Sequence, residues 1–339
     1  MSDKIRAWAA ASPKSALTAF EYTPGALGDE DVEIAVSHCG ICHSDLSMID
    51  GEWGNSTYPL VAGHEAIGTI AKLGPHAKGL RVGQRVGLGW MAGSCMHCNQ
   101  CMSGHHNLCR TGDQTIVGRH GGFAERVRCH WSWAIPLPEA LDSASAGPLF
   151  CGGLTVFAPI VDFDIRPTDR VGVVGIGGLG HMALKFLHAW GCEVTAFTSN
   201  PAKADEARGF GAHNVVASND AKALKKIAGS LDLILVTVNV TLDWNAMLSA
   251  LAPRGRLHFV GAVLEPVPVP AFALIGGRKS VSGSPLGSPA TAAQMLEFCA
   301  RHDISPQVEM YPMSRINDAL EHLRAGKARY RLVVENDFR

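Results

Sequence analysis

Cys95, Cys98 and Cys101 fall at three-residue intervals, and Cys109 follows after seven more residues. Four thiolates in one short loop can close a tetrahedral shell around zinc, and a closed shell leaves no position for substrate. The expected role is structural, because so small a loop buries no core of its own and takes its order from the metal. Two rival readings fit less well. Metal-free thiols at such close quarters would be prone to oxidation. An iron-sulfur cluster also uses Cys-x-x-Cys-x-x-Cys, but its fourth cysteine commonly comes after three residues and precedes proline; here the gap is seven and Arg110 follows. His97, His105 and His106 share the loop, yet four thiolates already saturate zinc.

A second set is scattered. Gly40-Ile41-Cys42-His43-Ser44-Asp45 and Gly63-His64-Glu65 lie about twenty residues apart, and Cys151 stands far downstream in Leu149-Phe150-Cys151-Gly152-Gly153. Taken singly, each cysteine or histidine is more often packed core than ligand. Two thiolates and one imidazole together, however, make the set that leaves zinc one open position for substrate. Cys39, Cys129, Cys192 and Cys299 read as small buried apolar residues.

A third group concerns a nucleotide. Gly175-Ile176-Gly177-Gly178-Leu179-Gly180 follows the apolar run Val171 to Val174 and precedes the amphipathic stretch His181 to Trp190. Glycines between a strand and a helix let the backbone approach a pyrophosphate at the helix N-terminus. About twenty residues on, an NAD site expects a carboxylate for the ribose hydroxyls, but this chain reads Thr198-Ser199-Asn200. Nothing there repels a 2′-phosphate, and Lys203 lies one helical turn away to attract it. Hydrogen bonds to charged groups contribute about 1.5–3 kcal/mol each, so two such contacts favour NADPH by about a hundredfold or more. The plainer reading is a helix cap followed by a surface lysine.

The elements that must hold these residues fall into two patterns. The first ~145 residues are rich in glycine and short β-branched runs, such as Val32 to Ser37, Ala66 to Leu73 and Arg85 to Leu88, which suggests an antiparallel, barrel-like domain. From Arg170 short apolar strands alternate with helical stretches, the signature of βαβ units and a parallel sheet. Expected strands are Val171 to Val174, Glu193 to Thr198, Leu231 to Val238 and Arg256 to Val260, with helices at His181 to Trp190, Ala202 to Phe210, Ala221 to Ala228 and Asp243 to Leu251, and a turn at Pro253-Arg254-Gly255. A helix from Pro289 to Arg301, another at Ile316 to Leu323 and a strand at Tyr330 to Glu335 form a tail too small for its own core, so it should return to the first domain.

Composition excludes other classes. Thirty basic and thirty-one acidic residues leave no footprint for nucleic acid or an anionic membrane. Met1 to Ala11 carries Asp3, Lys4 and Arg6 and lacks the apolar core of a signal peptide, and no window approaches the ~18 apolar residues of a membrane helix. Ten cysteines then read as thiols and metal ligands in a cytoplasmic protein.

Cys42-His43-Ser44-Asp45, Gly63-His64-Glu65, the four-cysteine loop and Gly175 to Gly180 occur in the order of the zinc-dependent medium-chain alcohol dehydrogenases, which the chain resembles over nearly its whole length. Within them it is similar to the cinnamyl alcohol dehydrogenase group, and above all to bacterial NADPH-dependent broad-range aldehyde reductases, through Ser44 to Asp50, Asn200-Pro201-Ala202-Lys203 and Gly326 to Arg331. The resemblance implies an α/β protein with a GroES-like barrel-type catalytic domain over 1–150, to which 290–339 returns, and a Rossmann domain, a doubly wound parallel sheet, over 151–289. It implies two zinc ions per chain: a structural one on Cys95, Cys98, Cys101 and Cys109, and a catalytic one on Cys42, His64 and Cys151 with Glu65 as alternating or outer ligand. Cys42 is preferred to Cys39 because the family ligand directly precedes His-Ser-Asp. Asp45 would orient His64, since a metal-bound imidazole needs its other nitrogen fixed. Ser44 matches the hydroxyl that passes the alcohol proton toward the cofactor ribose; Ser47 stands where many relatives carry histidine. Further cofactor contacts implied are His43 and Arg331 at the pyrophosphate, Thr155 near the nicotinamide, and Thr237, Gly261, Ser282 and Ser284 along the far side. Trp53, Trp90 and Ile41 are candidates for the substrate pocket.

The expected activity is reversible reduction of an aldehyde to its alcohol with NADPH, by a homodimer. An NAD-dependent dehydrogenase of small alcohols or polyols conflicts with the missing carboxylate and is distinguished by comparing both cofactors. A zinc-stabilised protein without turnover would need only the four-cysteine site, so metal content separates it.

Overall fold

A computed structural model describes residues 4–338; Asp3 of the opening segment lies outside them. The chain divides into two compact units, residues 4–154 with 287–338, and residues 155–286.

In the first unit β1 (Ile5–Ala10) and β2 (Leu17–Tyr22) form a two-stranded sheet. A larger sheet runs in the order β14 (Val308–Pro312), β15 (Arg331–Glu335), β3 (Asp31–Ile41), β4 (Glu65–Leu73), β5 (Arg85–Leu88) and β7 (Ile135–Pro136), with β6 (Arg126–His130) also on β3. All of its pairs are antiparallel except β14 with β15. The tail is thus part of this sheet: β15 is apolar and buried along Leu332, Val333 and Val334, and exchanges its ladder bonds with β3. Gly68 permits a close approach of the two strands, since a β-carbon there would meet the Ala35 carbonyl oxygen at 2.0 Å.

The second unit is a six-stranded parallel sheet in the order β10 (Asn214–Ala217), β9 (Glu193–Thr198), β8 (Arg170–Val174), β11 (Leu231–Val236), β12 (Leu251–Phe259) and β13 (Ser280–Gly283). The run Val171 to Val174 is buried throughout, as expected of a strand covered on both faces. The helix Gly180–Trp190 ends where Gly191, at φ 102°, closes it with bonds back to His188 and Leu187. Phe197, Ile234, Val236, Trp244, Met247 and Leu257 pack one core cluster.

The expected boundaries move most at β12 and β11. Pro253-Arg254-Gly255 is a bulge within β12 rather than a turn between elements: Leu231 pairs with Leu251 and Leu233 with Arg256, so the intervening residues loop out of the ladder, with Arg254 at φ 68°. Pairing with β11 on both sides of the loop recaptures the strand. β11 stops at Val236, because Thr237 and Val238 turn against the glycine loop, where a β-carbon on Gly175 would meet Val238 Cγ1 at 2.2 Å. Among the described residues no single helix is long and apolar enough to cross a membrane.

Candidate active site

Sheet register assembles the scattered set. Gly40 pairs with Glu65 across β3 and β4, which brings Cys42, just past the end of β3, beside His64 and Glu65. Leu332 pairs with Ile41 on the other side of β3, so Arg331 arrives at the same place. The turn Gly147–Phe150 packs on these strand ends: a β-carbon on Gly147 would meet the Glu65 carbonyl at 2.7 Å, and one on Gly87 the Phe150 ring at 2.2 Å. Cys151 follows that turn.

Asp45 ties the ligand segments together. It is fully buried on the helix His43–Asp50. Its Oδ2 accepts the Cys42 backbone N–H at 2.9 Å, while Oδ1 accepts the Gly63 N–H at 2.9 Å and meets His64 Nδ1 at 2.8 Å. His64 Nε2 is thereby turned toward the thiols, 3.2 Å from Cys151 Sγ, and the two sulfurs of Cys42 and Cys151 are 3.9 Å apart.

These spacings suit zinc. Bonds of about 2.3 Å from zinc to sulfur put the sulfurs of a regular tetrahedron about 3.8 Å apart. One ligand atom from each of Cys42, His64, Glu65 and Cys151 lies within 4.8 Å of the others. The Cys42 thiol is held well below its ordinary pKa, first by the hydrogen bond from Cys151 and then, against burial, by Arg331 and His64. Among the described residues Glu65 Oε2 is buried with no hydrogen-bond partner, which is the condition of an oxygen facing a cation. The other carboxylate oxygen takes the guanidinium of Arg331, and burial nevertheless pushes the Glu65 carboxyl up. Gly40 makes this room, since a β-carbon there would fall 2.0 Å from Glu65 Oε2.

The four-cysteine group is equally compact, with Cys95 and Cys98 sulfurs 3.9 and 3.6 Å from that of Cys101 and all four ligand atoms within 4.8 Å of one another. Backbone N–H groups of Cys95 and Cys98 point at Cys109 and Cys95 sulfurs. The loop reverses at Met96, φ 61°, and Gly104, φ 87°.

Around the first cluster, Ser44 is half-buried with its hydroxyl 3.8 Å from Cys42 Sγ, and His43 is exposed. Ser47 donates to Glu52 Oε2 at 2.8 Å. Trp90 meets His64 edge-to-face at 5.1 Å and Trp53 at 5.7 Å, so an aromatic wall begins at a ligand and ends at the 43% exposed Trp53. Ile41 is buried.

In the second unit Gly175, Gly177, Gly178 and Leu179 lie in the loop after β8, and Gly180 opens the helix that follows. A β-carbon on Gly180 would lie 1.8 Å from the Gly175 carbonyl oxygen. Thr237 places its hydroxyl 2.8 Å from the Val174 and 3.0 Å from the Gly175 carbonyl oxygen, bracing the loop. Lys203 Nζ donates to the Ile176 carbonyl at 2.8 Å, which sets its ammonium between the glycine loop and the end of β9. Thr198 is buried, Ser199 exposed, and Asn200 caps the following turn through Ala202 N. Gly261 packs against the Val238 backbone. Ser282 and Ser284 are both bonded to His258. Thr155 is half-buried on the helix Gly152–Asp162.

Arg331, which the resemblance puts at a pyrophosphate, is 5% exposed with its guanidinium on Glu65, because β15 docks on the strand carrying Cys42. The Trp90 contact to His64 and the His258 bridge carry no signal in the sequence: neither belongs to a spaced motif, and only strand pairing creates them.

Residues 28–139 match the alcohol dehydrogenase GroES-like domain and residues 178–301 the zinc-binding dehydrogenase model. The chain is 54% identical to aldehyde reductase AdhA of Synechocystis over 98% of its own length and 99% of that protein. Among solved structures it resembles the Sorghum bicolor cinnamyl alcohol dehydrogenase SbCAD4, at TM-score 0.93 and 37% identity, covering 98% of this chain and 97% of that one. It also resembles the Helicobacter pylori CAD complexed with NADP(H), at TM-score 0.89 and 28% identity, covering 98% of each. With a GroES-like unit and a Rossmann-type parallel sheet matched in order, the chain belongs to the zinc-dependent medium-chain alcohol dehydrogenases.

Proposed function

We propose that this protein reduces aldehydes to primary alcohols with NADPH, reversibly, at the Cys42, His64 and Cys151 cluster. The observation that carries the reading is that cluster: three donors at tetrahedral spacing, with Glu65 beside them and a ring of Trp90 as one wall. Zinc bound there supplies Lewis-acid polarisation of the substrate oxygen, and NADPH supplies hydride. Asp45 fixes the His64 tautomer so that Nε2 faces the metal position. Ser44 hands a proton to or from the substrate oxygen. The aromatic wall excludes water from that oxygen and accepts an apolar aldehyde.

NADPH preference is supported by the absence of a carboxylate at Thr198, Ser199 and Asn200 and by the placement of Lys203. Cys95, Cys98, Cys101 and Cys109 hold the second, structural zinc. The working form is a homodimer: β13 is the open edge of its sheet, and Phe272 and Ile275 nearby are 86% and 67% exposed. Ten unpaired cysteines suit a cytoplasmic location.

The test is an assay of aliphatic and aromatic aldehydes with both cofactors, together with metal analysis. Reduction favouring NADPH and two zinc ions per chain are expected, one for each cluster. NADH matching NADPH would favour a dehydrogenase of small alcohols or polyols instead. One zinc and no turnover would leave a zinc-stabilised protein. Cys151→Ala should abolish reduction and release one zinc while the fold persists; retained activity would remove the ligand assignment.

A further inference from the structure

His258 is fully buried near the C-terminal end of β12, and both of its ring nitrogens are engaged. Nδ1 lies 2.9 Å from Ser282 Oγ, and Nε2 lies 2.9 Å from Ser284 Oγ. Ser282 is the register partner of His258 on β13, and its oxygen also accepts an N–H from Arg256 at 3.2 Å. The Arg256 guanidinium sits over the Phe163 ring at 3.9 Å, and that ring meets His258 edge-on at 4.8 Å. The imidazole is therefore clamped on every side that the sheet offers.

Burial, and then the charge of Arg256, push the His258 pKa down to about 4. At neutral pH the ring is uncharged, with one N–H and one bare nitrogen. One serine must donate its hydroxyl to the bare nitrogen, while the other accepts the ring N–H and keeps its own proton for a ligand. With hydrogen on Nδ1 the spare donor is Ser282; with hydrogen on Nε2 it is Ser284.

Ligands of a parallel α/β sheet bind beyond the C-terminal ends of its strands. In the reading above, the loop after β8 takes the pyrophosphate and the end of β9 the phosphorylated ribose. The strands β11, β12 and β13 lie on the other side of β8, so the opposite half of the dinucleotide comes to their ends. The geometry points to His258 as a positioning residue for the nicotinamide half of NADPH, presenting one oriented serine hydroxyl to the carboxamide oxygen. This rests on the NADPH reading.

The test compares the zinc-loaded wild type with His258→Leu and His258→Asn. Calorimetry measures binding of NADPH and of 2′,5′-ADP, which carries the phosphorylated ribose but no nicotinamide. His258→Leu should raise the Kd of NADPH about tenfold, as expected for one or two lost hydrogen bonds, and leave that of 2′,5′-ADP within about twofold. KM for NADPH should rise more than kcat falls. His258→Asn, which can still engage Ser282, should recover part of the loss. Should the leucine variant not fold, Ser282→Ala and Ser284→Ala, one of which removes the hydroxyl left for the ligand, carry the same comparison with His258→Asn. Equal weakening of both ligands would mark His258 as a strut of the sheet, and unchanged NADPH binding would remove it from the cofactor site; either result overturns the inference. A wild type that binds neither ligand would instead bring down the NADPH reading itself.

Discussion

The Asp45 carboxylate meets His64 Nδ1 at 2.8 Å and takes the backbone N–H groups of Cys42 and Gly63 as well, all of it buried. Three donors converge on two oxygens, so one side chain sets the directions of two metal-ligating segments. In Asp45→Asn one of those donors must face an amide NH2 group instead. Zinc affinity at this cluster should fall roughly 10–100-fold, with activity falling in step at low zinc. A chelator competition titration checks it; unchanged affinity would leave Asp45 a purely local cap.

Arg331→Met leaves the Glu65 carboxylate buried without its cation. Breaking such a pair costs about 3 kcal/mol, and the variant should unfold at correspondingly lower urea. An unaltered urea midpoint would mean that the pair contributes little beyond packing.

Lys203→Ala removes the ammonium poised over the glycine loop. Its loss should cut kcat/KM with NADPH about tenfold and leave the NADH value nearly unchanged. Parallel kinetics with the two cofactors decide this, and an equal loss for both would assign Lys203 to bracing the Ile176 carbonyl alone.

Glu33 predicts a pH dependence. Burial would raise its carboxyl, but hydrogen bonds from Arg128 and Arg126 at 2.8 and 2.9 Å outweigh it and hold the pKa below the ordinary value. A depressed carboxylate contributes stability that is complete above its unfolded pKa of about 4.3 and is lost as pH falls through the lower folded value. Glu33→Gln should therefore unfold about 3 kcal/mol more easily than wild type at pH 7, with the gap closing as the medium is acidified below about pH 4. Urea midpoints of both proteins across that range test it; a constant gap would contradict the ion-pair origin.

What could be read from residues alone was local. Cys95, Cys98, Cys101 and Cys109 announce their metal because all four ligands sit on one short loop, and Gly175 to Gly180 announces a nucleotide because strand, glycines and helix are consecutive. Apolar runs and glycine stops likewise placed most strands and helices, since each depends on neighbours within a few residues. The bulge at 253–255 escaped because Pro-Arg-Gly is a turn signal, and only strand pairing on both sides makes it part of β12.

The rest was decided by pairing across long separations. Cys42, His64 and Cys151 are scattered in the sequence and grouped there only by ligand type and resemblance, and it is the β3–β4 register together with the packing of Gly147 that brings their side chains together. Arg331 went to Glu65 because β15 pairs with β3, some three hundred residues away in the chain, and no local pattern carries that pairing. Periodicity records which face of a strand is buried, whereas the partner that covers it is chosen by the whole sheet.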